Sequence, residues 1–440
     1  MLIDFTIKNY TSFKDEKLFS FLCTSKKVKD DVAIGSLYKN KIKTYPTSVI
    51  LGPNASGKTN LINALYDFRY FVLNSNKFAK DEINQSYKPF KLSPDTKVEP
   101  TIFDIEFVFD NYHFEYFIEF NESLVLKEEL YIYNNVEKLT KSYLYKRDKN
   151  NIYFGSKYTG DKAVFKTMLL PNKLLLSLIG ESNNESILQS AYNFFLRGLD
   201  IIYPQKEEYS ISNKYYTETV IKDNPKFKSL VIALLKAADI QISDIVIDHD
   251  DNLEKQLSEN YPNTSKILIN NTVTKTYFAH PVYDNDKNII QNEPLNFKNS
   301  ESSGTKKLYE ISASIIYALL MGNILIIDEL SSCLHPNIEA FLISLFSSID
   351  TNTNGAQLLI NTHNTNIIDK KDTFTKEQIW FTDKNQYGEC DLYSLDDFDP
   401  NKIRDYAKYG KSYIENRVGG LPNICFDLFK EELNKYNAKE

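Results

Sequence analysis

An α/β fold with an antiparallel β subdomain and an inserted helical subdomain is predicted for this chain of 440 residues. Three observations predict it. The apolar run TSVIL at 47–51 suits a buried central strand, and it passes through a glycine-rich loop into Asn60–Leu73, whose apolar residues recur at helical spacing. Between about residues 100 and 165 the chain becomes a series of short alternating segments, TIFDIEFVF, YHFEYFIEF, LVLKEELYIY, KSYLYKR and NIYFG, which read as an antiparallel meander. From 295 onward helical and apolar strand patterns alternate again, as ISASIIYALL, ILIID, IEAFLISLF, QLLINT and QIWFT.

Residues 2–22 read as two amphipathic strands. Residues 172–245 carry helical periods in KLLLSLIG, ILQSAYNFFLRGL and SLVIALLKAADI. The polar, Asn-rich stretch 247–276 reads as a loop or hairpin tip. The organisation expected is an N-terminal lobe at 1–170, a helical insertion at 171–275, a C-terminal lobe at 276–400 and a helical extension at 401–440. No internal repeat and no sustained heptad run is present.

Composition narrows the class. The net charge of −7 repels phosphate overall, so nucleic-acid contact would need a local basic patch. Cys23, Cys333, Cys390 and Cys425 form no CxxC pair, which argues against a zinc site or a disulfide framework and fits a reducing cytoplasm. The opening MLIDFTIKNYTSF alternates like a strand and lacks the apolar core of a signal peptide. The longest apolar stretch, Ile311–Ile327, is interrupted by Ser312, Ser314, Gly322 and Asn323, so no membrane span is expected.

Gly52-Pro53-Asn54-Ala55-Ser56-Gly57-Lys58-Thr59 fits GxxxxGK[ST] between a strand and a helix. Glycines there allow backbone N–H groups to close around phosphates at a helix N-terminus, where the dipole favours anions. Lys58 is expected to reach the β and γ phosphates of ATP, with Asn60 following in the same loop-to-helix stretch. Thr59 is expected to ligate Mg2+. Such a loop needs a carboxylate at the end of a neighbouring strand, and ILIIDE at 324–329 supplies Asp328 for the metal and Glu329 as general base for the attacking water.

Three further stretches follow in order: Glu301-Ser302-Ser303-Gly304-Thr305-Lys306-Lys307-Leu308 before the acidic strand, Ser332-Cys333-Leu334-His335-Pro336 after it, and His363 at the end of QLLINTH. With GPNASGKTNLINAL and LIIDELSSCLHP, they resemble the ABC-like ATPases related to the SMC, RecF and OLD proteins, specifically the compact bacterial AAA_15/AAA_21 group. The C-terminal QIWFTDKNQYGECDLYSLDDF and YIENRVGGLP are similar to that group as well.

The resemblance implies an ABC-type (SMC/RecF-like) P-loop ATPase head. In such a head Ser303 and Gly304 form a signature that clamps the γ phosphate bound to the opposite subunit. Residues 332–336 form a D-loop, and His363 is a switch histidine. It further implies a homodimer or higher oligomer joined through sandwiched ATP. The RloA, AbiLi and PARIS AriA types of this group act in phage defence and abortive infection beside a separately encoded effector, a nuclease or toxin. A RecF-like ATPase acting on DNA is the alternative.

Several residues keep two readings. His335 either begins a helix or takes a direct part in catalysis. Asp396, Asp397 and Asp399 read as turn and cap residues rather than as the acidic set of a Toprim nuclease. Residues 138–173 hold nine Lys or Arg against two Asp, interleaved with aromatics, and form either a nucleic-acid face or a lysine-guarded sheet edge. Gln85 is the candidate for a Q-loop glutamine.

Overall fold

The computed structural model describes the chain except residues 25–31, 33–34, 38–41, 135–139, 159–161, 163–167, 181–186, 204–205, 263, 333, 370–373, 399–407, 422–425 and 438–440. At its centre is a six-stranded sheet. In spatial order its strands are Leu199–Ile202, Ile324–Ile327, Gln357–Asn361, Thr47–Leu51, Ile379–Lys384 and Cys390–Ser394. The first five run parallel and the last turns back antiparallel.

Both faces of this sheet are covered, which explains why its strands are continuously apolar instead of alternating. Strand period still divides their side chains between two cores. Ile50, Ile324, Ile326 and Leu359 join one core, whereas Val49, Leu51, Leu325, Ile327, Leu358 and Ile360 join the other. The first core lies under the helix Lys58–Asn74, which buries Leu61, Ile62, Leu65, Phe68, Phe71 and Val72 on one face. The second includes buried residues of the helices Pro225–Ala237, Ser303–Met321 and Pro336–Ser347. Helix Ser303–Met321 starts at Ser302, whose hydroxyl accepts from Thr305 N, and stops at Gly322, which takes the left-handed φ of 70° that a C-terminal cap requires.

A seven-stranded antiparallel sheet closes the first core. Its spatial order is Asn151–Phe154, Thr140–Asp148, Val125–Asn134, Tyr112–Phe120, Thr101–Phe109, Leu2–Lys8 and Lys17–Ser20. Alternation sends Phe103, Ile105, Phe107, Phe114, Tyr116 and Ile118 inward. Phe68 meets this layer, its ring centroid 5.3 Å from Phe103 and 5.6 Å from Tyr116. Each such aromatic contributes on the order of 1.5–3 kcal/mol by leaving water.

Two buried polar groups fasten the layers. Gln357 acts as a substitute peptide: its Oε1 accepts from Leu2 N at 2.6 Å and its Nε2 donates to Leu2 O at 2.9 Å. The wholly buried Glu128 accepts from Tyr116 (3.0 Å) and Tyr145 (2.8 Å) and from the backbone N–H of Leu175 (2.7 Å) and Leu176 (3.0 Å), with Arg147 at 3.6 Å. It thereby caps the helix Leu175–Gly180 from the neighbouring sheet.

The structure departs from the sequence reading in the middle of the chain. Leu199–Ile202, assigned above to the helical insertion, is an edge strand of the central sheet beside Ile324–Ile327. The stretch 247–276, read as a loop, contains the helices Asp251–Asn260 and Lys266–Val273. The strands Asp244–His249, Thr274–Tyr283 and Ile289–Asn296 form a three-stranded sheet. The first of those helices buries no residue fully, and its apolar face is only the pair Leu253 and Leu257, a short signal within a polar stretch. Among the described residues no helix is long and apolar enough to cross a membrane.

Candidate active site

The central sheet places three loops side by side at the carboxyl ends of parallel strands, the position where open α/β sheets bind ligands. Thr47–Leu51 leads into Gly52–Thr59, Ile324–Ile327 into Asp328 and Glu329, and Gln357–Asn361 into His363. The histidine strand lies between the other two.

Gly52 and Gly57 have φ of 153° and 112°, and both are hemmed in. A Cβ on Gly52 would stand 2.5 Å from Thr382 O, and one on Gly57 would meet Cys390 Sγ. The hairpin behind the loop also grips Ser56, whose Oγ lies 2.5 Å from Thr382 Oγ1 and whose carbonyl accepts from the Cys390 thiol at 2.6 Å. Burial pushes that thiol up to about 12, so it stays protonated and donates.

The helix Lys58–Asn74 begins from Gly57 with no side-chain cap and no acidic residue in its first turn. Its first N–H groups therefore remain available to an anion, the arrangement that receives phosphate. Asn54 and Ala55 are exposed at the loop tip, Pro53 is half-buried, and Asn60 turns back to donate to Ser12 Oγ at 2.8 Å.

Lys58 is 6% exposed and donates to Gly52 O at 2.7 Å and Pro53 O at 2.9 Å. Burial lowers its pKa to about 8, while the charges of Glu329 and Asp328 act to raise it. Thr59 Oγ1 donates to Asp328 Oδ1 at 3.0 Å, so the two side chains expected to hold Mg2+ already touch. A hydroxyl and a buried carboxylate beside a phosphate loop fit a hard, oxygen-seeking divalent ion. Glu329 stands next to Asp328, half-buried and at a left-handed φ of 53°. For a residue with a Cβ this backbone costs roughly 1–2 kcal/mol. His363 is exposed, and its pKa is lowered by partial burial and then by the Lys58 charge, with Glu329 and Asp328 opposing. Lys58, Thr59, Asp328, Glu329 and His363 thus converge.

Residues 48–369 match the family described as "AAA domain, putative AbiEii toxin, Type IV TA system", AAA_21. The chain belongs to this family. AAA_21 membership gives it an AAA-type P-loop domain, and the phosphate loop and the acidic strand end stand at the carboxyl ends of parallel strands of one sheet in an α/β fold, as expected from the sequence. Among solved structures, it is similar to the SMC head domain from Thermotoga maritima at 10% identity and TM-score 0.41, covering 89% of this chain and 98% of that one. It is also similar to the Smc head domain with an extended coiled coil, bound to the C-terminal domain of ScpA, from Pyrococcus furiosus. There the identity is 10% and the TM-score 0.34, over 94% and 99% of the two chains. No curated protein matches the chain.

Not every expected residue of this AAA_21 chain lies at that convergence. Ser303 is exposed and Gly304 half-buried at the first turn of their own helix, while Ser302 serves as its cap. His335 is the cap of Pro336–Ser347, its Nδ1 accepting from Asn337 N at 3.2 Å, which matches the helix-start reading. Cys333 of the D-loop lies outside the described residues. Asp397 caps a short turn through Ser394 N at 2.8 Å, and Asp396 N donates to Ser394 Oγ, as turn residues do; Asp399 lies outside the described residues. Gln85 is exposed and makes no hydrogen bond to the phosphate loop. Sequence reasoning missed Ser12, Thr382, Cys390 and Asn361. The first three support the loop from behind, and only tertiary contact reveals them.

Proposed function

We propose that this chain binds Mg-ATP at Gly52–Asn60, joins a second copy head to head around two nucleotides, and hydrolyses them to ADP and phosphate. The observation that carries the reading is the Thr59–Asp328 contact at 3.0 Å beneath Lys58, with Glu329 adjoining. Bound Mg2+ would supply charge neutralisation on the phosphates. The chain's own residues divide the remaining work. Lys58 and the helix N-terminus hold the phosphate oxygens, and Thr59 and Asp328 hold the metal. Glu329 takes the proton from the attacking water, and His363 supports the γ-phosphate side.

Ser303 is exposed and Gly304 half-buried at a helix N-terminus, which suits a contact completed by another subunit. One chain alone would then hold half of each site. The biological role we propose is that of a sensor or scaffold in anti-phage defence, in which nucleotide state controls a separately encoded toxic effector. The family's description as a putative toxin of a toxin–antitoxin system supports this direction.

Nothing in the described structure favours the DNA-acting alternative. Lys141 pairs with Glu115, and Lys146 lies 3.5 Å from Glu129 while its ammonium sits 4.9 Å from the Tyr131 ring centroid. These lysines belong to a mixed-charge sheet face. Residues 138–139, 159–161 and 163–167 of the segment 138–173 lie outside the described residues.

The test is the mass of wild-type chain and Glu329→Gln, with and without Mg-ATP, co-expressed with the neighbouring gene. ATP-dependent assembly of the variant with co-elution of the neighbour supports the proposal. A variant that stays monomeric in Mg-ATP refutes the sandwich.

A further inference from the structure

The turn that carries the two acids is held by a residue to which no role has been given. Asn361 ends the histidine strand and is wholly buried. Its Nδ2 donates to Asp328 Oδ1 at 2.5 Å, its Oδ1 accepts from the backbone N–H of Glu329, and its carbonyl accepts from Leu330 N at 3.3 Å. One side chain thus touches both acids, and it does so where Glu329 holds its left-handed backbone.

An amide is the group that can do this. It donates to a carboxylate and accepts from an N–H in the same plane; a carboxylate in its place would repel Asp328, and an apolar side chain would leave the Glu329 N–H without a partner. Ser332 secures the other side of the same residue, its Oγ donating to Glu329 O at 2.9 Å, but it leaves that N–H untouched.

We infer that Asn361 is a positioning residue for hydrolysis: it fixes the backbone of Glu329 so that the carboxylate faces the water to be activated, and it does not itself contact nucleotide. The inference rests on the ATPase reading above. A backbone held at a rarely populated φ returns to a commoner region once its anchor is lost, and the carboxylate moves with it.

The test compares wild-type chain, Asn361→Ala, Asn361→Ser, Glu329→Gln and Asn361→Ala with Glu329→Gln. For each, the turnover at saturating Mg-ATP, the affinity for a fluorescent ATP analogue and the ATP-dependent change of mass are measured. Asn361→Ala is expected to lower kcat on the order of 10- to 100-fold while affinity stays within about threefold. Asn361→Ser, a milder change that guards against misfolding, is expected to show the same split. In the Glu329→Gln background the second substitution is expected to cost nothing further and to leave ATP-dependent assembly intact, because residues acting as a unit are not additive.

A multiplied loss in the double variant, or nucleotide affinity falling together with kcat, overturns the inference. So does an Asn361→Ala chain as active as wild type. A wild-type chain that neither binds nor hydrolyses ATP would refute the ATPase reading instead.

Discussion

Nucleotide binding should take up protons above neutral pH, and Lys58 sets the amount. In the free protein burial lowers its ammonium to about 8 from an ordinary 10.5. Phosphate oxygens laid against it favour the charged form and return it to its ordinary range. The free protein therefore lacks a proton that the complex holds, and the deficit grows with pH. With a pKa of 8 the uptake is about 0.1 proton at pH 7, about 0.5 at pH 8 and about 0.9 at pH 9. Affinity weakens in step, about twofold at pH 8 and about 11-fold at pH 9 relative to the protonated protein.

Calorimetry with a non-hydrolysable ATP analogue in two buffers of different ionisation enthalpy reads the uptake directly. Lys58→Arg, charged throughout this range, provides the control and should abolish it. Uptake that is absent at pH 9, or that persists in Lys58→Arg, would refute the assignment of a depressed ammonium to this loop.

Two other expectations concern residues away from the phosphates. His335→Ala should leave ATP turnover within about twofold and lower stability by about 0.5–2 kcal/mol, the range for losing a helix cap; a large loss of turnover would return His335 to the catalytic set. Asp104 is pushed up to about 7 by burial and by Glu115, against the opposing charge of Lys141. Folded chain thus keeps a proton that unfolded chain releases near its ordinary 3.8, so this group's contribution is present at low pH and is lost as pH rises toward 7. The shift has a ceiling of about 4 kcal/mol, and residual solvent screening reduces it to about 2 kcal/mol. Asp104→Asn should therefore flatten the stability difference between pH 5 and pH 8 in urea titrations, and an unchanged difference would show that Asp104 titrates normally.

Much of the architecture was legible because its elements carry strong periods. TIFDIEFVF and YHFEYFIEF form strands over the whole of Thr101–Phe109 and Tyr112–Phe120, since Phe103, Ile105, Phe107, Phe114, Tyr116, Ile118 and Phe120 recur at every second position and a turn joins the two segments. The phosphate loop, the acidic strand end and His363 were readable because glycine, carboxylate and imidazole break apolar runs at those places. Leu199–Ile202 was not legible: four residues cannot show alternation, and a π-helical turn, Phe194–Gly198, runs directly into them with its own apolar residues. The helix Glu207–Lys222 lies inside the stretch read as helical, although part of its buried face is polar, Asn213, Thr217 and Glu218. Asn361 gave no sign in sequence. A lone amide after QLLI looks like the end of a strand, and its meaning comes only from the acidic turn beside it.

Gln357 binds the first strand of the outer sheet to the first residue of the strand that ends in Asn361 and leads to His363. A strand is stiff along its axis, and five residues span about 16 Å. The antiparallel layer is thus joined to the base of that strand by the paired hydrogen bonds of Gln357 and to the helix after the phosphate loop by the Phe68 contacts, so the outer sheet and the two loops share one framework.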